Sequence, residues 1–78
     1  MPTVLRAGPY RFFFWSGDAR EAAHIHVESG DGYAKFWLEP VSLAKSEGYN
    51  GVEVARIGRL VVAHREELKE RWRDFFGG

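Results

Sequence analysis

"HIHVESGDGYAKFWLE", residues 24–39, decides how this chain folds. Its two halves alternate apolar and polar side chains. In the first half Ile25 and Val27 fall on one side of an extended backbone, and His24, His26 and Glu28 fall on the other. In the second half Ala34, Phe36 and Leu38 share a side, opposite Tyr33, Lys35, Trp37 and Glu39. Between them "SGDG", residues 29–32, is a tight-turn sequence, so the two strands are expected to form a hairpin. Pro40 then ends the second strand or puts it at a sheet edge.

Strand patterning continues toward the N-terminus. "YRFFFWS", residues 10–16, is aromatic and favours an extended chain up to Gly17-Asp18. "TVLRAG" before it is a shorter strand that stops at the Gly8-Pro9 turn. "DAREAA", from Asp18, is a polar connection or one loose helical turn, and "VSLAKSEGY", from Val41, is a short fourth strand or a turn-rich link. From Asn50 the period changes. Asn50 with Glu53 fits a helix N-cap with a capping-box glutamate. Val54, Ile57, Leu60, Val61, Leu68, Trp72 and Phe75 then recur every three to four residues, and His64 lies on the same stripe. Gly58 inside this run marks close packing or a weak point. The expected fold is α+β: residues 1–78 form one domain, with residues 1–40 mainly strands and residues 50–76 one long helix packed on an antiparallel sheet of three or four strands.

Composition removes several function classes. There is no cysteine, so neither disulfides nor thiolate-held zinc can staple so small a chain. Eleven basic side chains balance eleven acidic ones, which argues against general nucleic-acid coating by phosphate neutralisation. No apolar run approaches the roughly 20 residues of a membrane span, and the first residues lack the plan of a signal peptide. The expectation is a cytoplasmic protein without membrane contact. Six Phe, three Trp and three Tyr are many for 78 residues, so aromatics are expected to carry much of the core.

His24 and His26 are the first candidates for chemistry. Alternation puts them on one strand face, about 7 Å apart at the backbone. One reading is a wet strand face with no role. A second is a metal site, for which Glu28 or His64 would have to supply a third ligand. A third is metal-free acid–base catalysis on an RNA 2′-hydroxyl, with Lys35 or Arg11 as the cation that stabilises the phosphate. His64 is expected to be a core or boundary histidine, because it lies among Ile57, Leu60, Val61 and Leu68 on the apolar stripe; alternation turns His24 and His26 away from that helix and disfavours a site of all three histidines. The same second face holds Phe13, Trp15, Tyr33 and Trp37. Such an aromatic face suits a protein partner, a second copy of the chain or single-stranded RNA, with the zero net charge favouring protein.

"GPYRFFF", "HIHV" and "AKFWLEPV", in that order, with the "VVAHREELKERWRDFF" helix, resemble the domain-of-unknown-function-4160 family of small bacterial proteins. The resemblance spans nearly the whole chain. It implies a β-rich front half, a C-terminal helix, and a gene beside that of another small protein, as in toxin–antitoxin pairs. It implies no catalytic assignment. Ala22-Ala23 stand where the family usually has a proline pair, so a freer approach to His24 is expected. Taken together, the expected function is a toxin–antitoxin-type module acting through the neighbouring gene's small protein. In its catalytic form it is an RNA-cleaving toxin using His24, His26, Lys35 and Arg11, with Phe13, Trp15, Tyr33 and Trp37 as the binding surface and with no metal or other cofactor. The alternatives are a non-catalytic interaction or regulatory module and a small histidine-based metal-binding protein.

Overall fold

The computed structural model describes residues 3–77. Five strands come first: β1 (Thr3–Ala7), β2 (Tyr10–Phe13), β3 (His24–Ser29), β4 (Gly32–Leu38) and β5 (Val41–Glu47). A 3₁₀ turn, Ser16–Arg20, lies between β2 and β3, and two helices follow, α1 (Gly51–Ala63) and α2 (Arg65–Phe76). The strands form one antiparallel meander in the order β1-β2-β3-β4-β5.

The hairpin of residues 24–39 forms in the expected register, with His24 opposite Trp37, His26 opposite Lys35 and Ser29 opposite Gly32. Gly30 opens the two-residue turn at φ +50°, the backbone that the first position of a type II′ turn requires. The side chains alternate as read. Phe12, Phe14, Ile25, Val27, Ala34, Phe36 and Leu38 form the core with Ile57 and Val61 of α1 and Leu68 of α2. Fully burying one such side chain stabilises the fold by about 1.5–3 kcal/mol.

Two expectations change in detail. The sheet has five strands, not three or four, because "VSLAKSE" pairs with β4 as an edge strand. Most of its side chains are exposed, so it had no buried face to print an alternation into the sequence. The single long helix is two. At His64 the backbone turns to φ −107°, ψ 14°, which ends α1 and caps α2. The His64 N–H still donates to the Leu60 carbonyl at 3.0 Å, and the His64 carbonyl accepts from Leu68 at 2.9 Å, so the break is a kink rather than a separation. Beyond it Trp72 and Phe76 pack against Phe14, at ring distances of 5.3 and 5.8 Å.

The N-cap is the expected one: the Asn50 side chain accepts from the Glu53 N–H at 2.9 Å. The Glu53 carboxylate accepts from the buried Tyr10 hydroxyl at 2.9 Å, which ties the start of α1 to β2. Among the described residues, no helix is long and apolar enough to cross a membrane.

Candidate functional site

The second face of the sheet is covered by a turn. β2 stops at Phe13, and the chain then curls so that Trp15 and Asp18 lie over β3. Two bonds lock the curl: the Asp18 N–H donates to the Trp15 carbonyl at 3.0 Å, and the Trp15 N–H donates to the Asp18 carboxylate at 2.8 Å. An acid three residues into a turn that reaches back to the N–H at its start is one half of the capping-box arrangement. Here the same carboxylate also faces two histidines. Its Oδ1 is 3.1 Å from His24 Nε2 and its Oδ2 is 2.9 Å from His26 Nε2. All three residues are buried: His24 is 0% exposed, His26 2% and Asp18 6%.

The partners fix the roles of the ring nitrogens. His24 Nδ1 faces the Ala22 carbonyl at 2.7 Å, so it carries a hydrogen and donates it. His24 Nε2 makes no hydrogen bond among the described residues, although it is buried beside Asp18. His26 Nε2–H donates to Asp18 at 2.9 Å, and its Nδ1 accepts from the Tyr33 hydroxyl at 2.8 Å. Burial pushes the pKa of His26 below its ordinary value, against the pull of the Asp18 charge, which keeps the ring neutral. For Asp18, burial alone would raise the pKa. The Trp15 N–H and the two histidine rings outweigh it, and the carboxyl is held below its usual value. Burial, followed by the Asp18 charge, raises Tyr33, which keeps its phenol protonated toward His26.

A wet strand face for His24 and His26 is therefore not what the chain builds. His26 packs against Trp15, at a ring distance of 4.4 Å, against Phe13, at 5.4 Å, and against Tyr33, at 5.9 Å. His24 packs against Trp37 at 5.6 Å and Trp72 at 5.1 Å. Trp72 comes from α2. It reaches His24 because His24 begins β3 at the end of the sheet where Phe14 also lies. The four aromatics expected as an open binding surface mostly fill this second, smaller core, and of them only Trp15, 42% exposed, is largely open to solvent. Both expected phosphate cations are engaged: Arg11 with Glu28 at 2.7 Å and with the Thr3 hydroxyl, and Lys35 with Glu21 and the Trp37 ring.

The third member of the cluster is neither Glu28 nor His64. Glu28 pairs with Arg11, and His64 sits at the helix kink, 3.6 Å from Glu67. Sequence reading missed Asp18. Its signal was a carboxylate just after an aromatic strand, in a Gly-Asp pair that reads equally well as a plain turn. The expected loose approach to His24 is also corrected. Ala22 and Ala23 lend their carbonyls to His24 and to the Leu38 N–H, at 2.7 and 3.0 Å, so backbone bonds hold what prolines would have stiffened.

A family model described as "Domain of unknown function (DUF4160)" matches residues 10–73, most of the chain. No curated protein and no solved structure matches it.

Proposed function

The chain belongs to the DUF4160 family, and on that premise we propose that it is a non-catalytic interaction module of the toxin–antitoxin type, acting in the cytoplasm on a small protein encoded by a neighbouring gene. The observation that carries this reading is the β5 edge. β5 is a terminal strand of the sheet and most of its side chains are exposed. Beside it runs a 490 Å³ groove lined by Phe36, Val41, Ala55, Gly58, Arg59 and Val62. Val62 of its lining is 56% exposed, and Leu43, next along β5 from the Ser42 that also lines the groove, is 45% exposed. An edge strand next to an apolar groove accepts an extended segment by main-chain pairing, while the groove takes alternate side chains. The second sheet face, the alternative docking surface, is already filled by its own turn.

An RNA-cleaving role has less support. An acid–base pair must come within hydrogen-bond reach of the proton it moves. His24 and His26 are shut beneath Trp15 and Asp18, and Lys35 and Arg11 are occupied by carboxylates.

Co-expression with the neighbouring gene tests the proposal. The chain is expected to co-purify with that gene's product, and Leu43→Glu with Val62→Glu is expected to abolish the complex. At such exposed positions the stability change should stay within about 0.5 kcal/mol. Failure of the wild-type pair to associate, or a complex that survives both substitutions, refutes the reading.

A further inference from the structure

The buried cluster on the second face is separate from the β5 edge. We propose that Asp18, His24 and His26 form a binding site for one divalent transition-metal ion of the zinc class, held by an Asp18 carboxylate oxygen and by Nε2 of each histidine, with water as the remaining ligand.

The ligand atoms of the three residues lie within 4.8 Å of one another. Four ligands arranged tetrahedrally at about 2.0–2.1 Å from zinc stand about 3.4 Å apart. The contacts of 3.1 Å from His24 to Asp18 Oδ1 and 2.9 Å from His26 to Oδ2 need to open by a few tenths of an ångström, while the widest separation, at most 4.8 Å, needs to close by up to about 1.4 Å, a change that side-chain rotation supplies. Two imidazoles and one carboxylate are a borderline donor set that suits zinc and cobalt(II) and is too nitrogen-rich for calcium or magnesium.

Proximity alone does not make a site, and His24 supplies the independent observation. Its Nδ1 hydrogen is committed to the Ala22 carbonyl. In the neutral ring this leaves a lone pair on Nε2, completely buried, without a hydrogen bond, and facing the lone pairs of a carboxylate. Two buried acceptors pointed at each other need a cation between them. A proton on His24 would serve that one contact. A metal ion serves all three residues at once.

The surrounding bonds are those that such a centre requires. A ligating histidine ordinarily has its other nitrogen held by an oxygen, which sets the ring's orientation. His24 has the Ala22 carbonyl and His26 has the Tyr33 hydroxyl, and the Asp18 carboxylate is steadied by the Trp15 N–H. On binding, His26 gives up its Nε2 hydrogen. It takes one on Nδ1 and donates it to the Tyr33 oxygen, as the phenol hydrogen rotates away from the ring. The ion would pin the exposed 3₁₀ turn to β3, and in a chain without cysteine it replaces the staple that small domains otherwise need.

The test uses chelator-treated protein without a histidine tag, titrated with Zn²⁺ and separately with Co²⁺. The expected results are one ion per chain, a melting temperature that rises with zinc concentration, visible bands of tetrahedral cobalt, and loss of any Nε2 hydrogen on both rings in imidazole ¹⁵N spectra. Asp18→Asn and His24→Gln should each weaken Zn²⁺ binding more than the about 10–100-fold typical of outer-shell changes, with Tyr33→Phe inside that range. His64→Gln should leave binding unchanged. The proposal is overturned by folded wild-type protein that takes up no ion, by undiminished affinity in folded Asp18→Asn, or by an Nε2–H on His24 that persists in excess zinc. Should the variants not fold, the cobalt and imidazole spectra of the wild-type chain decide alone.

Discussion

On the face that α1 and α2 cover, the buried side chains of the sheet run from Phe12 through Ile25 and Val27 to Phe36 and Leu38, all apolar, and the one polar group among them, the Tyr10 hydroxyl, is matched by Glu53. On the opposite face, where α2 contributes only the Trp72 ring against His24 among the described residues, Phe13, His24, His26 and Asp18 are just as inaccessible under one aromatic turn. The first face is stabilised by removing hydrocarbon from water, which is non-directional and tolerant of detail. The second depends on directional bonds among a carboxylate, two imidazoles and a phenol, where a single unmatched atom is costly. The unmatched atom, His24 Nε2, is on this face. One face builds the fold, while the other holds a polar cluster whose unmatched acceptor a bound ion would satisfy.

The largest effect should come from the helix-covered face. Phe12→Ala is expected to cost about 3–5 kcal/mol of a total that for small domains is only about 5–15 kcal/mol. A urea titration followed by tryptophan fluorescence would read it, and a loss below that of a polar-face variant would reverse the ranking. On the second face, Asp18→Asn in metal-free protein should cost about 1–3 kcal/mol, since it replaces a charged acceptor of two hydrogen bonds with an amide. A neutral outcome would mean that the polar cluster adds nothing to stability.

A gentler probe of the same face is acid. His26 titrates lower in the folded protein than in the unfolded chain, so below about pH 6.5 the unfolded chain takes up a proton that the folded one resists. Asp18 is also depressed: its contribution is present above its ordinary value and is lost as pH falls through its folded one. Both signs agree. Chelated protein should lose stability as pH drops through 6.5 and again at more acid pH, and Asp18→Asn should flatten the second loss. Melting temperatures across a pH series would check this, and a flat series would contradict it.

The smallest effect returns to the helix side. A Cβ added at Gly58 would meet the Phe36 ring at 3.5 Å, an ordinary contact. Gly58 is therefore the weak point of α1 and not a close-packing site. Gly58→Ala should stabilise the protein by about 0.5–1 kcal/mol. A loss instead would show that the groove between α1 and β5 has no room for a methyl group.

How much was legible follows from how far each signal travels. The period of two in residues 24–39 is printed by a half-buried sheet, so the hairpin, its register and the shared face of His24 and His26 could be read from neighbours alone. The Asn50 cap could be read in the same way, being a bond to a residue three positions on. β5 printed too weak a pattern because its side chains are mostly exposed, and the kink at His64 left none, since helical hydrogen bonds run past it on both sides.

What the sequence by itself determined is therefore the alternation: an apolar face for the helices, and a second face where histidines and aromatics meet. Only the tertiary structure decided that the second face is closed, that Trp72 arrives from a helix to touch His24, and that Asp18 is the residue facing both rings. Asp18 is six positions before His24, in a turn where neither the helical nor the strand period applies. Its place is set by Trp15 stacking on His26 and by the Trp15 N–H holding its carboxylate, contacts that exist only once the chain has folded back over its own sheet.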